Sequence, residues 1–483
     1  MGSGYLEPCN TEEKLFTMLL VRSAIYIVFL VASILHSSTG LADSTTLPGP
    51  RPLPYVTREM EKADYWIVTI RNPDRVLMDT QTIQGMNGEN LKRQDLWYSD
   101  VKELKAEWTR KELLTLLKED WEGFGQTSEL RYGRDGRPLD ASFWADLRDN
   151  MNQSVLPESQ RLLLGLIIRR TDLRVFPTEK HSLNGPSDNG FDRFQHSSVS
   201  PGSLVGIYHF SRDQKWAYIQ TYFMRGWVRR EDVAAAGENR QALDYAATTD
   251  RLLVTGSFVN VFEDPLLQKV SLTAQMGSSF PLLSPEEQKL SLDSYYTLRI
   301  PSRGVNGKLV FKNGYVSRRQ DVRPGFLPYT QANVARQAFK MLHEPYGWGE
   351  MSGGRDCSRF IMDIFSTFGL LLPRNSKYQA MIGKPSGPLE GKKLAEKKQL
   401  LDRAVPLATL LRLPGHIMLY LGSQKGRYYV IHDLWGVPRG NRRNSGLEKV
   451  GRVVVSDLSL GSSGPSGSLL RRLTDVTLIG RSP

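Results

Sequence analysis

Cysteine is almost absent: the 483 residues contain two, Cys9 and Cys357. Cys9 precedes a stretch with the layout of an export signal, so export leaves Cys357 as the single thiol of the mature chain and excludes an intrachain disulfide framework. Histidine is scarce, with seven, and no group of His, Cys, Asp and Glu has the spacing of metal ligands. Neither a metal nor any other cofactor is expected. Walker loops, zinc fingers and RNA-recognition motifs are missing too, so no nucleic-acid partner is expected. Long apolar runs are also lacking. The one candidate, residues 24–35, is too short for a comfortable membrane span. Arg22 precedes it and Ser37-Ser38-Thr39-Gly40-Leu41-Ala42 follows, which is the order of a secretory signal cleaved after Ala42. The expectation is a protein of the periplasm or cell envelope without a stable membrane anchor. An uncleaved anchor is the alternative, and Met18 is a better start for such a signal than Met1.

What the chain does have is positive charge and length. A net charge of +12 suits an anionic partner such as a wall polymer, or simply a soluble protein with a basic surface. The length suggests about three domains beyond the signal at 1–42. A Pro-rich linker, Leu47-Pro48-Gly49-Pro50-Arg51-Pro52-Leu53-Pro54, opens a segment at 43–168 whose periodicity is mostly helical. Leu104, Trp108, Leu113, Leu114 and Leu117 share a plausible helical face there, and Leu156-Pro157-Glu158 reads as another helix start running towards Leu164. Near Arg169 the texture changes to short strands and polar turns. Residues 169–240 carry Leu204-Val205-Gly206-Ile207-Tyr208-His209, Trp216-Ala217-Tyr218-Ile219-Gln220 and Arg225-Gly226-Trp227-Val228, an order that resembles bacterial SH3-type barrels. Trp216 and Trp227 are expected to pack the barrel. A second all-β stretch at 241–325 contains Val259-Asn260-Val261-Phe262 and Tyr295-Tyr296-Thr297-Leu298-Arg299-Ile300. The last domain, 326–483, begins at Phe326-Leu327-Pro328.

The chemistry-bearing residues lie in that last domain. Cys357 follows Gly353-Gly354-Arg355-Asp356 and opens an amphipathic helix. A thiol at a helix N-terminus meets the positive end of the macrodipole, which favours thiolate. His416 opens a strand and His432 ends the next one, so two antiparallel strands set the rings side by side. A nucleophile, a base and a group that orients the base form a recurring division of labour. A strand histidine alone is more often structural.

The surrounding motifs narrow the reading. Tyr346-Gly347-Trp348-Gly349, Asp356-Cys357-Ser358-Arg359-Phe360, Leu413-Pro414-Gly415-His416-Ile417-Met418-Leu419-Tyr420-Leu421-Gly422 and Ile431-His432 resemble the successive signatures of NlpC/P60 cysteine peptidases. The resemblance covers residues 327–483, and the segments before it resemble the multidomain branch with an N-terminal stabilising domain and paired SH3-like domains. It implies an α+β, papain-like catalytic domain preceded by a helical domain and two small SH3-like β-barrels. It also implies hydrolysis of peptidoglycan stem peptides or muropeptides, typically at the γ-D-glutamyl–diamino acid bond, with Cys357 as nucleophile, His416 as base and His432 as orienting residue. Tyr346 matches the tyrosine that polarises the substrate carbonyl. Asp356 and Ser358 match positions that recognise the free amine of the stem's first alanine. Tyr346 as a packing residue and Asp356 as a helix N-cap are the plainer alternatives. At the level of the whole chain, a non-catalytic wall-binding protein and an amidase or acyltransferase on the same core stay open. Two residues leave the family pattern: Glu350 stands where a second glycine is usual after Gly349, and Arg359 replaces the more frequent glycine after Cys357-Ser358.

Overall fold

Side-chain caps start the N-terminal helices. After α1 (Ala63–Ile67) and the short strand β1 (Val76–Met78), Asp79 accepts the Thr82 N–H at 2.7 Å and opens α2 (Thr80–Leu91). Beyond β2 (Glu107–Thr109), Thr109 and Glu112 satisfy each other's backbone N–H groups and open α3 (Arg110–Phe124). Asp140 accepts the Phe143 N–H at 2.8 Å at the start of α4 (Ala141–Asn150). The computed structural model describes residues 50–480 apart from Trp97, Asn189, 285–293, 386–388 and 442–443. The expected signal segment lies outside the described residues.

These helices share no core of their own. Trp66, Ile67, Ile83 and Leu96 are buried with the residues around Cys357, and β1 pairs antiparallel with Tyr329 and Thr330. Leu113, Leu117, Trp144 and Leu147 are instead buried with Tyr218 and Trp227 of the first barrel. The segment read as one helical domain acts as two wedges, each completing a neighbouring core. The helix expected from Leu156 is absent. Those residues form β3 (Ser159–Arg161) and β4 (Leu163–Ile167). A short apolar run is ambiguous by periodicity, and here pairing with neighbouring strands decides it. Gly165 shows why: a Cβ there would sit 2.7 Å from the Ala234 carbonyl on the adjacent strand.

The first barrel continues with β5 (Thr171–Arg174), β6 (Gln195–Val199), β7 (Leu204–Phe210), β8 (Trp216–Gln220), β9 (Arg225–Arg229) and β10 (Val233–Ala235), in the spatial order β10-β4-β7-β8-β9-β5-β6. The side packed with α3 and α4 is aromatic, with Trp227, Tyr218, Phe176 and Phe194 fully buried, and the alternate positions Ile207, Ala217, Ile219 and Val228 form a buried aliphatic side. Trp216 and Trp227 are barrel-packing residues, as expected. Helix α5 (Asn239–Ala247) leads to the second barrel, built from β11 (Arg251–Val254), β12 (Phe258–Phe262), β13 (Val270–Gln275), β14 (Ser279–Pro281), β15 (Tyr295–Arg303), β16 (Leu309–Ser317) and β17 (Val322–Pro324). These form a three-stranded sheet, β14-β11-β17, and a four-stranded sheet, β13-β12-β16-β15.

The last module starts with β18 (Tyr329–Thr330), α6 (Gln331–Phe339), α7 (Cys357–Ser366) and α8 (Ser376–Gln379). It continues through β19 (Lys384–Pro385), α9 (Leu394–Asp402), β20 (Thr409–Leu413), β21 (His416–Gln424), β22 (Arg427–Asn441), β23 (Asn444–Asp457), α10 (Leu469–Arg472) and β24 (Asp475–Leu478). A six-stranded antiparallel sheet, β19-β24-β20-β21-β22-β23, carries α7 on one face, where Phe360, Ile361, Ile364 and Phe365 meet Ile417, Leu419 and Ile431. Lys425 and Gly426, both with positive φ, close the β21–β22 hairpin in the manner of a type I′ turn. Among the described residues no helix is long and apolar enough to cross a membrane.

Candidate active site

Three elements deliver the sulfur and the imidazoles. Asp356 caps α7 by accepting the Arg359 N–H at 2.9 Å, which places Cys357 in the first turn. The N–H of Ile417, the residue after His416, donates to the Cys357 sulfur, so the thiol lies against the start of β21. The β21–β22 register puts His432 opposite Met418, diagonal to His416 on the same face. The His416 Nε2 to His432 Nδ1 distance is 2.6 Å, and His432 Nε2 lies 2.8 Å from Ser456 Oγ. One proton assignment satisfies that chain and leaves Nδ1 of His416 open as an acceptor: His416 donates from Nε2 to His432, and His432 donates from Nε2 to Ser456. Among the described residues no hydrogen bond joins a histidine ring to the sulfur in this resting state.

The resting electrostatics differ from the expectation of a thiolate. Cys357 is 6% exposed, and burial, reinforced by the Asp356 carboxylate, pushes its thiol up to about 12 despite the Ile417 N–H. Burial, with the charge of Arg472, pulls the His416 imidazole down to about 4. Desolvation disfavours both charged forms. It outweighs the helix terminus, so thiol and imidazole rest neutral.

The groups flanking the nucleophile are held by one another. Asp356 accepts Arg374 Nη1 at 3.0 Å on one oxygen and Nη2 at 2.6 Å on the other. It also takes the Ser358 hydroxyl at 3.0 Å and the Gly349 N–H at 3.2 Å. A buried carboxylate needs a cation, and the chain supplies it from Arg374 rather than leaving it to a ligand. Tyr346 is half-buried. Burial, then the neighbouring Cys357, Asp356 and Asp433, keep its phenol protonated, so it remains a hydrogen-bond donor. Its ring centroid is 5.5 Å from that of Trp435. Phe191 of the first barrel touches Trp435 at 5.2 Å and Trp348 at 4.8 Å, forming an aromatic seam between barrel and site.

Above the sulfur lies a cavity of about 670 Å³. Tyr346, Cys357 and Ser358 line one side, Gln195 and His196 of the first barrel another, and Phe124 at the end of α3 a third. Among the described residues only the first of the two barrels reaches it; the second supports the module from behind through Ser257 and Gln275, which bond Arg355 and Asp363. The second barrel stays off the cavity because β13 packs under α7, with Gln275 bonding Asp363. Asp356 is the sole acid among the described lining residues, facing Arg131, Arg193, Lys377 and Arg412.

Of the six expected site residues, Tyr346, Asp356, Cys357 and Ser358 line the cavity, while His416 and His432 bond each other on β21 and β22, beside the Ile417 N–H that reaches the sulfur. Arg374, Ser456 and Trp435 were missed. A lone serine in a β-strand carries no signal. Arg374, in Pro373-Arg374-Asn375-Ser376 after an apolar run, has no spacing that ties it to Asp356.

Residues 343–433 match the sequence profile of the NlpC/P60 family, and residues 182–229 match that of the SH3 domain of SH3b1 type. The chain therefore combines an α+β, papain-like NlpC/P60 domain with an SH3b-type module. An NlpC/P60 endopeptidase from Photobacterium damselae subsp. piscicida superposes with a TM-score of 0.72 over 89% of this chain and 99% of its own, at 21% identity. An NlpC/P60 family protein from Bacillus cereus aligns over 66% of this chain and 100% of its own, at 14% identity and a TM-score of 0.46. No curated protein sequence matches significantly.

Proposed function

We propose that the chain is an exported cysteine endopeptidase acting on peptidoglycan stem peptides, at the γ-D-glutamyl–diamino acid bond. The observation that carries this reading is Cys357 at a helix N-terminus on the wall of a cavity and against the start of β21, where His416 opens a chain of contacts to His432 and Ser456. His416 Nδ1 takes the thiol proton, and the sulfur attacks the scissile carbonyl. The Cys357 N–H, in the unpaired first turn of α7, and the Tyr346 hydroxyl hold the oxyanion; one such donor is typically worth about 3 kcal/mol. The imidazolium returns the proton to the leaving amine, and the C–N bond breaks. Water then hydrolyses the thioester and restores the thiol. His432 orients the base without adding negative charge, so His416 is not held as a cation at rest. A peptide amine would meet Asp356 and Ser358, beside the nucleophile on an otherwise basic wall. The +12 net charge favours approach to an anionic wall.

Mass spectrometry of defined muropeptides tests the reading. The wild type should release products cut between γ-D-glutamate and the diamino acid, and Cys357→Ala should release none. Cleavage at the amide joining peptide to sugar would turn the assignment to an amidase. Equal product from Cys357→Ala would end the peptidase reading.

A further inference from the structure

The two residues that leave the family pattern meet in space. Glu350 and Arg359 lie 3.1 Å apart, carboxylate to guanidinium, and both are buried. Glu350 has a φ of +67°, a left-handed conformation natural to glycine and unfavourable for a residue with a Cβ. A side chain kept at such a position, where the pattern offers glycine, calls for a compensating contact. The carboxylate makes several. It accepts the Ser197 hydroxyl at 2.6 Å, the Ser198 hydroxyl at 2.7 Å and the Ser198 N–H at 2.9 Å. Those serines lie on β6, the outer strand of the first barrel's sheet, so Glu350 captures a donor on a strand edge that has no further strand beside it. Burial pushes the Glu350 acid upward, but Arg359, Arg374 and Arg170 overcome it and bring it to about 2.

Arg359 completes the pair from the helix side. Its Nε binds Asp363 at 2.6 Å, one turn along α7, and its Nη2 reaches Ser200 Oγ at 3.2 Å. The path then runs to the nucleophile. Ser197 Oγ donates to Glu350 and accepts from Arg374 Nε at 2.7 Å. The other guanidinium nitrogens of Arg374 hold both oxygens of Asp356 and the Ser358 hydroxyl, the last at 2.7 Å. Barrel, Glu350, Arg374 and the residues on either side of Cys357 form one buried chain of charge-assisted hydrogen bonds.

We infer that Glu350 and Arg359 are a co-dependent clamp, in place of two glycines, that locks the first barrel onto the N-terminal turn of α7 and thereby positions the groove wall and the residues flanking Cys357. Neither touches the cavity, so both are positioning residues. The clamp predicts that the NlpC/P60 module of this chain needs its own first barrel for a well-formed groove. A member with glycine at both places is free of that dependence at these two positions. The inference rests on the proposed peptidase only in taking the cavity as the substrate's groove.

The test is a double-variant cycle on the full chain, with Glu350→Gly, Arg359→Gly and the pair together. It reads thermal midpoint, peptide kinetics, and the pH profile of Cys357 alkylation by iodoacetamide. Each single variant unbalances a buried charge network, removing one charge while its 3.1 Å partner stays, and should lower the midpoint by several degrees. The pair removes both charges, so its midpoint should fall by less than the two single losses combined. The clamp's own signature is in the folded double variant: KM up by about tenfold or more with kcat changed by less than about threefold, and alkylation faster than wild type at every pH. If single variants fail to fold, Ser198→Ala keeps both charges and should raise KM by about threefold. Additive midpoint losses, or a double variant with wild-type KM and alkylation profile, would overturn the clamp. If the wild type cleaves no stem peptide, the proposed function fails, and the midpoint cycle with the alkylation profile still judges the clamp.

Discussion

The two barrels differ in what covers them. In the first, all five residues of β8 are buried, because α3 and α4 pack over strands that would otherwise face solvent on alternate positions. Large aromatic rings fill the side under those helices, and Ile207, Ala217, Ile219 and Val228 fill the other. In the second, β12 alternates between exposed and buried, with an aliphatic core of Leu252, Val254, Val259 and Val261. A strand buried on both faces marks a module sandwiched between partners, and an alternating strand marks one that packs on a single side. The first barrel, with its helical wedge, walls the groove; the second braces α7 from beneath through Gln275 and Ser257.

That contrast predicts unequal costs of damage. Trp227→Ala, in the first barrel, should lose about 3–5 kcal/mol of stability and impair cleavage as the wall loosens, whereas Val261→Ala, in the second, should lose about 2 kcal/mol and leave kcat/KM near wild type where folded. Denaturant melts alongside kinetics check this; equal loss of kcat/KM would erase the distinction. A change in the catalytic sheet tests chemistry apart from either barrel. His432→Ala should lower kcat by about a hundredfold with little change in KM, since nucleophile and base stay in place. Wild-type turnover would make the His416–His432 contact purely structural.

Substrate charge sharpens the view of the barrel-facing wall. Asp356 is already paired with Arg374, so N-acetylation of a free stem peptide should reduce kcat/KM by about tenfold rather than abolish cleavage. No change at all would leave Asp356 as a helix cap and anchor for Arg374. The smallest effect expected is that of mild acid. The His416 pKa is depressed from 6.5 to about 4, so the base form persists between about pH 5 and 8 and kcat should vary little there. Activity should fall as pH drops through about 4. The matching stability term is complete above the unfolded value near 6.5 and is lost as pH falls towards 4, because the unfolded chain takes up the proton first. A kcat that halves near pH 6.5 would show that burial does not govern this imidazole.

The catalytic module was legible because its signals are local. A capped helix opening at Cys357 and a strand opening at His416 follow from spacing and turn residues, whereas the next strand, expected to end at His432, runs on to Asn441 because β23 pairs with it along that length. Barrel strands were legible from alternation and Gly-rich turns. How the helical segment packs was not legible, because amphipathicity reports that a face is buried, not which core receives it. Leu156 to Leu164 was misread because β10 and β7, distant in sequence, recruit it as a strand. The thiolate expectation missed the sign of the resting pKa, since a helix N-terminus is visible in sequence and depth of burial is not.

By itself, then, the order of residues determined the class of catalytic fold and singled out Cys357, His416 and His432 as the proposed nucleophile, base and orienting partner. Those depend on backbone geometry within a few turns or one hairpin. Tertiary structure decided which barrel lines the groove, that Arg374 satisfies Asp356, that Ser456 ends the histidine chain, and that Glu350 and Arg359 pair. The physical reason is common to all four. A buried charge or polar group must find a partner, and that partner is chosen by packing between segments far apart in the chain.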